Sequence, residues 1–218
     1  MTGITCILAS GVSYLKSKKA QLTAIEQYKT ALSQASSQEK LALLNNALRY
    51  NQQLFSANIP LLSYEPLQGY TNVLNLNDDG VMGYIVIPKT NTKLPIYHNS
   101  SDDVLDKGMG HVESSCLPVG GNSSHCLLAA HRKFLKNLDK IEVGDVFILN
   151  VAGNSFKYTV DKIDIVKPDE TDEIIIEENK DYCTLITCHP DGVNTHRLLV
   201  RGVRDNSVEF NIRSWMLY

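Results

Sequence analysis

The chain has 218 residues, 43% apolar and 21% charged, with 21 Lys and Arg against 24 Asp and Glu and a net charge of −3. That near-neutral balance excludes the basic face of a nucleic-acid binder and the acidic composition of a disordered tail. Length and apolar content suffice for a core without a metal or disulfide staple, and no period of roughly 20 to 50 residues marks a repeat array.

Met1 to Leu15 carries no charge. The run is shorter than the ~20 apolar residues of a spanning helix. It lacks the basic leader and small-residue cleavage site of a signal peptide. Lys16, Lys18 and Lys19 follow, as at the polar flank of a membrane segment. Residues 1–15 are therefore read two ways, as the start of a buried helix or as the remnant of a membrane anchor.

Residues 16–80 read as a helical arm and a linker. Lys16 to Ala35 is rich in Ala, Gln and Lys and predicts a helix. Ser36 and Glu39 form a capping-box pattern for a second helix, with Leu41, Leu44, Leu48 and Leu54 near one face. Pro60 disfavours helical geometry at Ile59 and ends it. Pro66, Gly69 and an Asn/Asp cluster mark residues 60–80 as loop.

Residues 81–218 read as strands. Tyr84–Ile87, Leu94–Tyr97, Cys126–Ala130, Val146–Val151, Phe156–Val160, Tyr182–Cys188 and Arg197–Val203 are short apolar runs between turn signals. Ala152-Gly153-Asn154 predicts a three-residue hairpin loop. The apolar parity switches from Phe156, Tyr158 and Val160 to Ile163 and Ile165, predicting a bulge near Asp161-Lys162. Many short strands point to a barrel or sandwich behind a helical arm.

The five cysteines are Cys6, Cys116, Cys126, Cys183 and Cys188, an odd count that does not read as a disulfide framework. Cys116 and Cys126 are close enough in sequence for a bridge, which geometry must decide. Cys183 lies five positions before Cys188 on one predicted strand, so the two face opposite sides. That separation also argues against zinc on Cys183, Cys188, His189 and His196, because four ligands must converge. No metal site and no cofactor are expected.

The densest chemical signal runs from Thr184 to Gly202. Two strands flank a loop from His189 to His196 that holds Pro190 and Gly192. If they pair antiparallel, Cys188 ends one strand where Arg197 begins the next. A cation beside a thiol favours the reactive thiolate, and arginine offers a fork of donors to an oxyanion. His131, in Ala129-Ala130-His131-Arg132, follows an apolar strand and is a candidate proton-transfer partner. His189 sits in a turn beside Pro190 and is the weaker candidate base.

This block resembles the signature of sortases, the cysteine transpeptidases of Gram-positive bacterial surfaces. Gly83 to Pro88, Leu94 to His98, Leu117 to Gly121 and Asn137 to Lys140 resemble the pilus-assembling class C. The resemblance covers roughly Leu41 to Arg204. It implies an eight-stranded sortase-type β-barrel, mainly β, with an N-terminal helical arm and short connecting helices.

It also implies Cys188 as nucleophile, His131 as general acid/base and Arg197 as the third catalytic residue. Thr187, His189 and Asn194 become candidates for substrate contact. The implied substrate is a Leu-Pro-x-Thr-Gly-type sorting signal cleaved between Thr and Gly. The implied acceptor is a Lys amine of a pilin subunit, and the implied location is the outer face of the plasma membrane through an N-terminal anchor. That favours the anchor reading of residues 1–15. The alternatives are a wall-anchoring sortase using a peptidoglycan amine and a non-catalytic peptide-binding barrel.

Three features depart from the class C pattern. The segment from His131-Arg132 to Leu138 is short and lacks Gly-Leu-Pro. A lid of the Asp-Pro-aromatic type is represented by Glu65-Pro66-Leu67. The sequence ends at Trp215 to Tyr218, too short a stretch to span a membrane.

Overall fold

The computed structural model describes residues 3–57, 65–170 and 174–204, with side chains from residue 15 onward. Helix α1 (Gly3–Gln34) is longer than the sequence predicts, running back through the uncharged stretch. No helix among the described residues is long and apolar enough to cross a membrane. Helix α2 (Ser37–Ala57) starts at the predicted capping box. Glu39 accepts from the Ser36 N–H at 2.7 Å, and Ser36 Oγ accepts from the Glu39 N–H at 3.2 Å.

The buried face of α2 is Leu44, Ala47, Tyr50, Asn51 and Leu54, whereas Leu41 is 45% exposed. The predicted leucine face is corrected accordingly. Small, aromatic and amide side chains meet the barrel because α2 also makes polar contacts there. Asn51 donates to the Leu117 and Gly120 carbonyls (3.1 and 3.0 Å) and accepts from the Leu117 N–H (2.7 Å). That amide pins the Leu117–Gly120 loop beneath the helix.

Eight strands follow: β1 (Val81–Ile87), β2 (Thr92–Tyr97), β3 (Met109–His111), β4 (Ser124–Ala129), β5 (Val146–Val151), β6 (Asn154–Val166), β7 (Asp181–His189) and β8 (His196–Arg204). They close a barrel in the order β1-β2-β3-β4-β7-β8-β6-β5. Closure leaves no unpaired sheet edge. β4 and β7 run parallel, and so do β2 and β3. A short helix, α3 (Asp102–Leu105), precedes β3.

The β5–β6 turn has two residues rather than three, since Val151 pairs with Asn154. Ala152 and Gly153 both have positive φ (49° and 81°), as a type I′ turn requires. The predicted bulge is present, with the β6–β8 register shifting between Val160 and Lys162.

Alternation divides the strands between two apolar clusters. Cys126, Leu128, Cys183, Leu185, Leu198 and Val200 fill the interior, closed at one end by Leu44, Ala47 and Tyr50 of α2. The other face of β4, β7 and β8 is outward, yet it is also apolar. Leu127, Ile186 and Leu199 there form a second cluster with Leu54, Leu67, Val112, Cys116, Val166, Ile174 and Ile176. An outer face this apolar needs cover, which α2 and the flanking loops supply.

Candidate active site

The outer face of β7 and β8 holds Cys188 and Arg197 at one end. On the antiparallel β7–β8 pair, Cys188 is register-paired with Arg197. Directly paired residues project to the same side, so thiol and guanidinium share the face that carries Ile186 and Leu199. On the parallel β4–β7 pair, Ala129 is opposite Ile186, and the Ala130 N–H donates to the Ile186 carbonyl at 3.1 Å. His131 and Cys188 each follow two residues after that last pair, at the same end of adjoining strands. Neighbouring strands lie about 4.8 Å apart, so three consecutive strands deliver the three side chains to one rim.

Cys188 is half-buried at that rim. The other described thiols are buried. Cys126 and Cys183 are register partners inside the barrel, and Cys116 lies in the outer cluster. Cys116 and Cys126 are both free. They occupy opposite faces of the barrel wall, which is why they are not bridged. Burial pushes the thiols of Cys116 and Cys126 up, away from the reactive thiolate.

Arg197 Nη1 donates to the carbonyls of Asn194 (3.2 Å) and His196 (3.0 Å). Those bonds hold the guanidinium against its own loop and leave Nε and Nη2 to donate elsewhere. Asn194 has a positive φ of 61°, and its N–H donates to the Pro190 carbonyl at 3.0 Å. Its role in the structure is to shape the loop that fixes Arg197.

Thr187 is buried and faces inward, and its hydroxyl donates to the Ala130 carbonyl at 2.9 Å. With that donor committed, it positions the chain before His131. His189 pairs with His196 on the face opposite Cys188. His189 therefore does not share the face of the thiol, while His131 follows the end of the adjoining strand. Glu65 and Pro66 are exposed. The next residue, Leu67, packs against both apolar clusters, and its N–H donates to the Tyr50 hydroxyl at 3.2 Å. The stretch after the proline thus rests on the outer cluster.

Sequence reasoning missed two residues. His125 lies on the outward face of β4, two positions before Leu127. Its Nδ1 bonds the Ile175 carbonyl at 2.6 Å and its Nε2 the Thr184 hydroxyl at 2.7 Å, pinning the segment before β7 to the barrel wall. The parity of β4 carried that signal. Asp106, at the end of α3, lies 3.5 Å from His131 Nε2. Nothing in the spacing of positions 106 and 131 announces the contact.

Residues 85–205 match the family model of the Sortase domain. The chain spans 54% to 61% of the length of the curated sortases it matches. Among solved structures it is similar to sortase C1 of Streptococcus agalactiae, at 40% identity and a TM-score of 0.80, over 84% of this chain and 98% of that one. It is similar to a Clostridium perfringens sortase C solved with the C-terminal cell wall sorting motif, at 39% identity and 0.76, over 85% and 99%. It is also similar to a Streptococcus pneumoniae sortase C studied for pilin substrate specificity, at 34% and 0.76, over 84% and 96%. A closed eight-stranded barrel with Cys188, Arg197 and His131 brought to one rim, together with these matches, places the chain in the sortase family, with class C enzymes among its structural neighbours.

Proposed function

We propose that the chain is a cysteine transpeptidase of class C type, joining a Leu-Pro-x-Thr-Gly-type sorting signal to a Lys amine of a pilin subunit. The observation that carries this reading is the register pairing of Cys188 with Arg197, with His131 at the end of the adjoining parallel strand. The C. perfringens and S. pneumoniae neighbours support the choice of sorting signal and pilin.

In the first half-reaction the Cys188 thiolate attacks the Thr carbonyl carbon. The carbonyl oxygen gains the negative charge and accepts from the donors that Arg197 leaves free. As the tetrahedral species collapses, the Thr–Gly bond breaks and the imidazolium of His131 protonates the departing Gly amine. A thioester on Cys188 remains. A neutral Lys amine then attacks it, His131 accepts the amine's proton, and the sulfur leaves as thiolate with a new amide formed. The partly buried Val166, Ile176 and Ile186 at the edge of the outer cluster suit the Leu-Pro part of the signal.

The reading carries an address as well. Residues 1–15 are uncharged and precede Lys16, Lys18 and Lys19, which fits an anchor leading to the outer face of the plasma membrane of a Gram-positive cell.

Intact-mass spectrometry with a sorting-signal peptide tests the chemistry. The expected result is a product with Gly released and the Thr acyl group on Cys188, absent in C188A. Adding a pilin domain that carries the acceptor Lys should discharge the adduct faster than a peptidoglycan-like amine does. An unmodified protein, with Cys188 alkylated no faster than Cys183, would leave a peptide-binding barrel.

A further inference from the structure

Asp106 brings a carboxylate to His131 from a distant part of the sequence. Its Oδ1 lies 3.5 Å from His131 Nε2, and the same oxygen lies 2.6 Å from Lys133 Nζ. The placement is built by the fold. Asp106 ends α3, and its N–H donates to the Asp102 carbonyl at 2.9 Å. The helix can lie this close to β3 because residue 110 is glycine. A Cβ there would come within 2.5 Å of the Asn99 carbonyl oxygen and 3.1 Å of Leu105 Cδ2. On the other side, a tight turn follows His131, with the Phe134 N–H donating to the His131 carbonyl at 2.9 Å. That turn returns Lys133 to the carboxylate, over the Phe134 ring at 4.9 Å.

We propose that Asp106 is the positioning residue for His131, its single oxygen shared between the imidazole and Lys133. The proposal rests on the reading of His131 as the proton carrier. With Nε2 3.5 Å from Asp106, Nδ1 is the nitrogen left for the reacting proton, and a fixed ring orientation is what the carboxylate supplies. Lys133 competes for the same oxygen.

The charged groups at the ring are Asp106 from the α3–β3 connection and, through it, Lys133 from the following turn. Arg132 is turned away to Asp139 at 2.8 Å. Lys133 first, and His131 after it, hold the Asp106 carboxyl below the usual carboxylate range, so it is ionised wherever the enzyme would work.

The test is kcat and KM measured separately in four variants. D106N lowers kcat about threefold with KM unchanged, because the imidazole loses its orienting partner. K133M keeps the native kcat, because Asp106 then serves the imidazole alone. D106N/K133M follows D106N, since Lys133 acts through the carboxylate. D106E restores kcat in part. H131A separates the two layers of the argument. An active H131A overturns the assignment of His131 and this proposal with it. An inactive H131A beside a native kcat in D106N, or a K133M that falls as far as D106N, overturns the proposal alone, leaving Asp106 as an ion-pair partner of Lys133.

Discussion

The Thr187 hydroxyl donates to the carbonyl of Ala130 at 2.9 Å, joining the residue before Cys188 to the residue before His131. The bond lies inside the barrel, one peptide from each of those two residues, and fixes how far the end of β4 sits from the end of β7. Backbone pairing of β4 with β7 ends at Ala129–Ile186 and the Ala130 N–H, so this side-chain bond is the last link before the rim.

T187V keeps the volume and deletes the donor. The buried Ala130 carbonyl loses a partner, which costs about 1–3 kcal/mol. Placement of His131 loosens, and small misplacements of a catalytic group are expensive in rate. We expect a lower melting temperature and roughly tenfold slower acylation of Cys188, both recovered in T187S. Full acylation rate in a destabilised T187V would show that the bond serves folding alone.

Arg197 commits Nη1 to the Asn194 and His196 carbonyls, and the proposed mechanism assigns Nε and Nη2 to the oxyanion. R197A should lower the acylation rate by about 10²–10³, the range for loss of one preorganised oxyanion donor. R197K keeps the charge but lacks the planar fork, so it cannot hold both carbonyls and still donate outward. It should stay about tenfold or more below the native rate in single-turnover assays. A lysine variant at native rate would reduce the requirement at 197 to charge.

The ease of reading this site in the sequence tracked how local each contact is. Cys188 and Arg197 sit on two consecutive strands joined by one short loop, so alternation alone pairs them. His131 meets them through parallel pairing of β4 with β7, a relation that no spacing encodes; there the family signature supplied what periodicity could not. Asp106 required α3, Gly110 and β3 to be folded first. The α2 error has another origin. Leu41 repeats the apolar period but lies beyond the barrel's reach, while Asn51, a polar residue, is buried because the Leu117–Gly120 loop offers it three backbone partners. The type I′ turn at Ala152-Gly153 was read one residue long because alanine at positive φ carries little sequence signal.

Acid stability depends on three buried groups with opposing signs. Burial pushes His111 and His125 down to about 4. Each is held as the neutral ring. His111 donates from Nε2 to the Cys116 carbonyl (2.9 Å) and meets the Tyr70 hydroxyl at Nδ1 (2.9 Å). His125 donates to Ile175 and accepts from Thr184. The unfolded chain protonates both rings below their ordinary value of 6.5 while the fold does not, so their contribution is complete above 6.5 and is lost as pH falls toward 4.

Asp181 acts the other way. Burial pushes it up to about 6, despite the Gly121 N–H, Arg204 and the Tyr158 hydroxyl. Between its ordinary 3.8 and about 6 the fold holds a proton that the unfolded chain releases, so its contribution weakens as pH rises through that window. Two histidines outweigh one carboxyl. From pH 6 down to 4 the native protein should lose about 1.4 kcal/mol per pH unit, one net proton's worth. D181N removes the opposing group and should roughly double that slope. Urea unfolding at half-unit steps from pH 4 to 7 measures both, and equal slopes in D181N and the native chain would show that Asp181 is ionised in the fold.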